Sequence, residues 1–365
     1  MKTVILFGVG AMGGRLLRVL ENDYPGIEIV AAVDNDAAKT GKTLAEVTGF
    51  ARFGGVRIAA DLDSALAGLA AKADVLVHMT ESKPHLIKEQ LLAALNAGLN
   101  VVSAAESMFY PGLRYPEFTA ELDAAAKANG VSITGTGINP GFSYDVLPLI
   151  LARGTSAVTH VEIYRCIDVT GTGPGDIEHV GYGLTPEEFN KRIEDGRVEG
   201  HMGAPESLTR LADYLNLEID EITEAWDRET ADFDVDSGDP TLGILPPGRV
   251  IGITQRARAL CKGQEVMRTS LAMYYQPEKF NLVEEDRIEI EGAMPVKMSI
   301  KPAIQSLFGA ANIVANTIVP VADAAPGLLS PLDLPTGGTE RAASRYVVDK
   351  SRTAKPGYLP VTRKG

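Results

Sequence analysis

The stretch that decides the fold is Gly8-Val9-Gly10-Ala11-Met12-Gly13, close to the start of the chain. It follows an apolar, β-branched run over residues 3–7 and opens a helical pattern over 15–20, which is the context that this glycine pattern requires. The first glycine permits a tight turn, the second lets the backbone approach a pyrophosphate, and the third lets the helix pack closely on the strand. The helix N-terminus then offers unpaired N–H groups to phosphates. We therefore expect a dinucleotide to bind at Gly8, Gly10, Ala11, Met12 and Gly13.

Short apolar strands alternate with helical patterns over roughly the first 150 residues, and this alternation predicts a parallel sheet with helical crossovers. The strands are predicted at 3–7, 27–33, 56–59, 73–79, 100–104 and 131–134. Beyond residue 154 the runs become longer and alternate with polar residues, as in an open, mostly antiparallel sheet. The predicted class is α/β: a Rossmann-type doubly wound parallel sheet with a second α+β domain. We assign residues 1–154, with a return helix within 302–335, to dinucleotide binding, 155–301 to substrate binding and dimerisation, and 351–365 to a loose C-terminal tail.

Composition narrows the function classes. Of 365 residues, 45% are hydrophobic and 23% charged, and the net charge is −13. A basic footprint for nucleic acid or anionic lipid is absent, and no stretch is typical of a membrane span or a targeting segment. Two cysteines do not make a disulfide framework, so we expect a cytoplasmic protein. The five histidines show no metal-ligand spacing, so we expect no metal site. An open sheet needs its face or edges covered, which favours a homodimer.

The end of the second predicted strand bears on the choice of cofactor. Asp34 follows Gly13 by about 20 residues, where a carboxylate bonds the ribose 2′-hydroxyl of NAD and repels the 2′-phosphate of NADP. The nearby Lys39 and Lys42 partly offset that charge. The sequence therefore predicts NAD or NADP, with NAD slightly favoured by Asp34.

Three later strands end in polar segments that should meet at one edge of the sheet, around the nicotinamide end of a cofactor. The strand predicted at 73–79 is followed by Thr80 and Ser82, which are candidate cofactor contacts. The strand predicted at 100–104 is followed by Glu106. A carboxylate beside the cofactor can hold a substrate ammonium and take its proton, so Glu106 is the candidate catalytic residue. Glu81 is the rival carboxylate, although its position just before the proline of a helix start favours a capping role.

The segment over 135–142 has three glycines and one proline, which is typical of a tightly defined loop. Pro140 pushes the backbone of Asn139 out of the helical region, so this loop can present polar groups to a substrate. Phe142 and Tyr144 open the next helix and are candidates for an apolar pocket wall. His201 lies in the glycine-flanked segment Gly200-His201-Met202-Gly203. It is the second-domain side chain most able to reach the cleft. Ordinary structural roles remain open for all of these residues.

The chain resembles the 2,4-diaminopentanoate dehydrogenases and the related native amine dehydrogenases, which have a dihydrodipicolinate-reductase-like cofactor domain. The resemblance rests on the segments 8–14, 100–111, 135–142 and 200–207, with 325–328 and 333–335 near the end. The two middle segments are the specific ones. In that family the glutamate after the fifth strand is catalytic, which here is Glu106. The resemblance implies oxidative deamination of an amine with NAD(P), or reductive amination of a ketone with ammonia in reverse.

Two further hypotheses stay open. One is a reductase or dehydrogenase of the same architecture that acts on a C=N or hydroxyl group without ammonia. However, Glu106-Ser107-Met108 lacks the lysine that sugar-type oxidoreductases carry after this strand. The other is a non-catalytic dinucleotide sensor. A diamino acid substrate would need a cationic partner for its carboxylate, for which Arg165 is the candidate.

Overall fold

A computed structural model describes residues 1–198 and 200–336. The predicted tail at 351–365 lies outside these residues. Within the described part of the chain, no helix has both the length and the apolar character needed to cross a membrane.

The first part of the chain alternates strands and helices. The strands are β1 (Lys2–Phe7), β2 (Ile27–Val33), β3 (Ile58–Ala59), β4 (Val75–His78), β5 (Asn100–Ser103) and β6 (Ser132–Gly135). The helices are α1 (Ala11–Asp23), α2 (Leu44–Thr48), α3 (Leu62–Ala67), α4 (Pro84–Asn96), α5 (Pro116–Ala128) and α6 (Val146–Ala152). The strands β4, β5 and β6 are almost entirely buried, as is the middle of β1, which is expected for a parallel sheet that is covered on both faces.

The second part is richer in long strands. Its helices are α7 (Pro174–Val180), α8 (Pro186–Glu194) and α9 (Ala204–Leu215). Its strands are β7 (His160–Asp168), β8 (Glu221–Thr230), β9 (Val235–Asp236), β10 (Ile244–Leu245), β11 (Val250–Cys261), β12 (Gln264–Tyr274), β13 (Glu285–Glu291) and β14 (Val296–Ile300). The chain then returns through α10 (Ser306–Ala322) and β15 (Gly327–Leu329).

The first sheet has the order β15-β6-β5-β4-β1-β2-β3, and its strands pair in parallel. Helices α1 and α10 cover one face, where Leu16 and Val314 belong to the same core. Helices α3, α4 and α5 cover the other face, where Leu91 and Leu122 lie in a second core. The predicted doubly wound sheet is confirmed, and the return segment adds a seventh strand that the sequence analysis did not include.

The second sheet has the order β14-β13-β7-β12-β11-β8. All of its pairs are antiparallel except that of β7 with β12, so the predicted mostly antiparallel sheet is confirmed. Helix α9 buries Leu208 and Leu211 in the same core as Ile253 and Ala257 of β11. One sheet face is thereby covered, and the loop that precedes α9 is held at the side of the first sheet.

Candidate active site

A cavity of about 620 Å³, here called the inner cavity, lies where the carboxyl ends of the first sheet meet the second domain and the start of α10. It is the place at which a doubly wound sheet binds its ligands. Six of the residues selected from the sequence line it: Met12, Ser82, Glu106, Asn139, Pro140 and His201. The fold therefore brings together side chains that are far apart in the sequence.

A second cavity of about 700 Å³, here called the outer cavity, lies beside the glycine turn. Gly10 and Ala11 line it, and Arg15 and Phe308 line both cavities. The two cavities therefore adjoin along the N-terminal turns of α1. Together they form a groove suited to an extended ligand.

The glycine turn has the shape that a dinucleotide requires. A Cβ atom on Gly8, whose φ is 104°, would lie 2.5 Å from the carbonyl oxygen of Met79, and one on Gly13 would lie 2.1 Å from the carbonyl oxygen of Gly8. Nothing lies within 4 Å of such an atom on Gly10. Gly8 and Gly13 are thus needed for close packing, whereas Gly10 leaves open space above the N-terminus of α1 for a pyrophosphate.

Asp34 directly follows β2, as expected, but its carboxylate already has protein partners. One oxygen accepts hydrogen bonds from the N–H of Val9 at 2.8 Å and from Lys39 Nζ at 3.1 Å, and the other accepts from the N–H of Asp36 at 2.9 Å. Burial would raise the pKa of Asp34, but the two N–H groups and the lysine outweigh it and leave the pKa below its usual value. Asp34 is therefore ionised and stabilises the glycine turn through its hydrogen bond with the N–H of Val9.

The segment after β4 contacts the glycine turn on one side and the inner cavity on the other. The Thr80 methyl carbon lies 3.1 Å from the position of a Cβ on Gly8, and the Thr80 hydroxyl lies 2.7 Å from His78 Nε2. Burial lowers the pKa of His78 to about 4, so this ring is neutral. The Ser82 hydroxyl accepts the backbone N–H of Glu106 at 3.4 Å. Glu81, the rival carboxylate, is exposed.

Glu106 begins a short 3-10 turn directly after β5, and its side chain is 29% exposed. One carboxylate oxygen accepts the backbone N–H of Met202 at 3.2 Å, and the other lies 3.5 Å from His201 Nε2. The carboxylate is therefore oriented by the second domain while it stays open to the inner cavity. A group placed in this way can bind an ammonium and exchange a proton with it.

His201 is held at both ring nitrogens and at its own backbone. Its Nδ1 lies 2.9 Å from the carbonyl oxygen of Met202, which can only accept, so Nδ1 carries a proton. Nε2 lies 3.3 Å from the Asn139 amide nitrogen and faces Glu106. The buried amide of Gln255 accepts from the N–H of His201 and donates to its carbonyl, at 2.9 and 2.8 Å. No sequence pattern points to Gln255, because a single glutamine within a strand gives no signal of such a contact.

Asp145, which the sequence analysis also missed, joins the loop over 135–142 to the helix that follows His201. One of its oxygens accepts the N–H of Gly141 at 3.0 Å and the hydroxyl of Ser207 at 2.7 Å, and the other accepts the N–H of Val146 at 2.7 Å. The side chain is fully buried. Burial raises the pKa of Asp145 to about 6, although these three hydrogen bonds oppose the rise.

This raised pKa leads to a pH-dependent stability. The folded state holds the proton of Asp145 up to about pH 6, whereas its ordinary value is 3.8, so the contribution of this group is greatest at low pH and declines as the pH rises between those values. We expect Asp145→Asn to lower the free energy of unfolding by about 1–3 kcal/mol, because its amide cannot accept all three bonds. Urea unfolding of both proteins should give a larger difference at pH 4.5 than at pH 7. A difference that stays constant across this range would contradict the buried, proton-binding state of Asp145.

Phe142 and Tyr144 differ from expectation, because neither lines the inner cavity. Asp145 caps α6 and turns the chain, so the two aromatic rings point into cores on either side. Phe142 packs against Phe109 and Val146, and Tyr144 is 2% exposed within the core of the second domain. Apolar side chains of the second domain, which no local sequence pattern singled out, contribute to the lining of the cavity beside those of the first domain: Ile167, Val169, Val180, Tyr182 and Met273.

Arg165 also differs from expectation. Its guanidinium is completely buried and pairs with Asp286, and it donates to the carbonyl of Ile304 and, at 2.9 Å, to the hydroxyl of Ser306. These contacts join β7 and β13 to the start of α10. Arg165 therefore holds the two domains together and is not among the residues that line the inner cavity.

Comparisons with known proteins agree with this architecture. The model of the 2,4-diaminopentanoate dehydrogenase C-terminal domain matches residues 142–350, and that of the homoserine dehydrogenase NAD binding domain matches 8–134. A 2,4-diaminopentanoate dehydrogenase from Acetoanaerobium sticklandii is 30% identical over 91% of this chain and 93% of its own. An amine dehydrogenase from Streptomyces virginiae is 25% identical over 92% and 96%. The solved amine dehydrogenase from Mycobacterium smegmatis is 26% identical, covers 92% of this chain and 96% of its own, and superimposes with a TM-score of 0.79.

Proposed function

Since the chain belongs to the 2,4-diaminopentanoate dehydrogenase family, we propose that it interconverts a small amine and the corresponding ketone plus ammonia. It is an oxidoreductase that uses NAD or NADP. In the oxidative direction an alkylammonium, water and NAD(P)⁺ give a ketone, ammonium, NAD(P)H and one proton. The observation that carries the proposal is the position of Glu106, open to the inner cavity and oriented by His201 and Met202.

The cofactor would lie along the groove, with its pyrophosphate over Gly10, Ala11 and Gly13 and its nicotinamide near Met12 and Ser82. When bound, the nicotinamide accepts or donates the hydride. Thr80 supports this site from below by packing on Gly8. The residues present thus fit a dinucleotide, and this chain contributes binding and orientation.

Glu106 would act as the general base toward the substrate nitrogen and as the general acid toward the leaving oxygen. During deamination it takes a proton from the substrate ammonium, since only the free amine carries the lone pair that assists hydride departure. During amination it gives a proton to the hydroxyl that leaves as water. Nε2 of His201 lies 3.5 Å from the carboxylate, so the imidazole is placed to exchange a proton with Glu106. The Asn139 amide contacts the same nitrogen at 3.3 Å and helps to position the ring.

A simple amine or ketone is favoured over a diamino acid. Among the described residues that line the inner cavity, Arg15 is the one lysine or arginine, and it lies at the cofactor end. Arg165, the candidate partner for a substrate carboxylate, is paired with Asp286. The apolar lining around Val169 and Met273 suits an uncharged carbon chain.

We also propose that the protein is a homodimer and that it is located in the cytoplasm. One face of the second sheet carries alternating charges, such as Arg287 beside Glu162 and Glu289, and a homodimer would cover it with the same face of a second copy. Cys166 and Cys261 are both free thiols, which supports a location in the cytoplasm.

The test follows the oxidation of NADH and NADPH with a panel of small ketones and keto acids, with and without ammonium. We expect the wild-type protein to turn over ketones only when ammonium is present, and fastest when the ketone is uncharged. Turnover without ammonium would identify a carbonyl or imine reductase instead. Tight cofactor binding with no turnover on any member of the panel would favour the dinucleotide sensor.

A further inference from the structure

The outer cavity carries more positive charge than a pyrophosphate site alone requires. Three cationic residues, Arg15, Arg18 and Lys39, line it together with the apolar side chains of Val47, Phe50 and Phe308. The apolar group suits a purine ring, and the cavity begins at Gly10, where the pyrophosphate would end. The outer cavity therefore has the position and the chemistry of an adenosine site.

Two of the three cations have no acidic partner in the part of the chain that the structure describes. Within the described residues, neither Arg15 nor Arg18 forms an ion pair, and the Arg18 guanidinium lies 5.3 Å from the centre of the Phe308 ring. Lys39 lies 3.1 Å from a carboxylate oxygen of Asp34 and 3.5 Å from one of Asp36. Neither carboxylate is among the described residues that line the outer cavity, so the two arginines are available there to an anion.

Asp34 does not obstruct such an anion. Its side chain is only 9% exposed, and its oxygens face the N–H groups of Val9 and Asp36. Its remaining hydrogen bond comes from Lys39, which lines the outer cavity whereas Asp34 does not. At the end of β2, where the ribose 2′ position lies in this fold, the group presented to the ligand is therefore an ammonium.

On the basis of the proposed function, we propose that the outer cavity binds the 2′-phosphate of the adenosine ribose, so that the enzyme prefers NADP(H) to NAD(H). Lys39 is the direct contact at the end of β2. Arg18, one helical turn further along α1 than Arg15, supplies the second charge. Arg15 lines both cavities and serves the pyrophosphate, which both cofactors contain.

The 2′-phosphate adds close to two negative charges that only NADP(H) carries. A charge-assisted hydrogen bond to such a group changes affinity by roughly 10- to 100-fold. Loss of Lys39 should therefore weaken NADPH binding by that factor and leave NADH binding nearly unchanged. Lys39 is a partly exposed residue in a surface turn, so its replacement should not impair folding.

The experiment measures binding without substrate. NADPH and NADH are titrated by nucleotide fluorescence, and 2′,5′-ADP and 5′-AMP by calorimetry, with wild type, Lys39→Ala and Arg18→Gln. Lys42→Ala is the matched control, because Lys42 is an exposed lysine three positions further on that does not line the outer cavity. We expect wild type and the control to bind NADPH and 2′,5′-ADP more tightly, and Lys39→Ala to lose that preference.

Equal or tighter binding of NADH by the wild type would overturn the inference while leaving an NAD-linked amine dehydrogenase intact. Equal weakening of both cofactors in Lys39→Ala would also overturn it, since the lysine would then act on a part that both share. Failure of the wild type to bind either dinucleotide would contradict the proposed function as well.

Discussion

Replacing Glu106 with glutamine should reduce kcat by about 100- to 10,000-fold, the range of a lost general acid–base group. Glutamine has nearly the same shape and can still accept the N–H of Met202, so the loop around the inner cavity should keep its conformation. It cannot take a proton from an ammonium. The measurement is steady-state amination of a ketone by the variant and the wild type, together with fluorescence titration of the cofactor.

Glu81→Gln is the matched control, because Glu81 follows the neighbouring strand but is exposed. We expect it to retain wild-type turnover and Glu106→Gln to retain wild-type cofactor affinity. If Glu106→Gln kept full activity, the carboxylate would have no part in proton transfer and the proposed chemistry would need another base.

Replacing Gly13 with alanine is expected to lower the free energy of unfolding by about 2–3 kcal/mol and to abolish most cofactor binding. The added methyl carbon would lie 2.1 Å from the carbonyl oxygen of Gly8, which belongs to the backbone and cannot rotate away. Helix α1 must then shift away from β1, at the cost that overpacked cores show. Urea unfolding and titration with the cofactor would measure the two effects.

Gly14→Ala, one residue further along α1, is the control. Nothing lies within 4 Å of its added carbon, and alanine is favoured over glycine within a helix by about 1 kcal/mol. We expect its unfolding free energy to be unchanged or slightly higher. A similar loss of stability in both variants would mean that general helix perturbation, and not the contact with Gly8, causes the effect.

Much of the first domain could be predicted from sequence, because its strands are short apolar runs that alternate with helices. The glycine turn, Asp34 at the end of β2 and Glu106 after β5 lie where local pattern places them. Strand β8 could not be predicted in the same way. It is an edge strand with no fully buried residue, so its sequence lacks the apolar alternation that marks a strand. Strand β15, only three residues long, gives no pattern at all.

Site residues could be predicted where a single local sequence pattern marks them. Contacts between two segments that are distant in the sequence could not. Glu106, Asn139 and His201 were selected separately, and the structure brings them to one cavity. The hydrogen bonds of Gln255 with His201 and of Ser207 with Asp145 depend on tertiary packing, which no local sequence pattern encodes. The same holds for Arg165, whose charge suggested a ligand contact and whose actual partner, Asp286, is supplied by a neighbouring strand.

The central claim is that hydride transfer and ammonia incorporation occur on the same substrate carbon. The most direct test supplies a small ketone with ¹⁵N-ammonium and with NAD(P)H that carries deuterium at its transferable position, followed by mass spectrometry of the product. We predict an amine that contains both labels, formed by the wild type and not by Glu106→Gln. A deuterated alcohol without ¹⁵N would contradict the claim and would identify the enzyme as a carbonyl reductase.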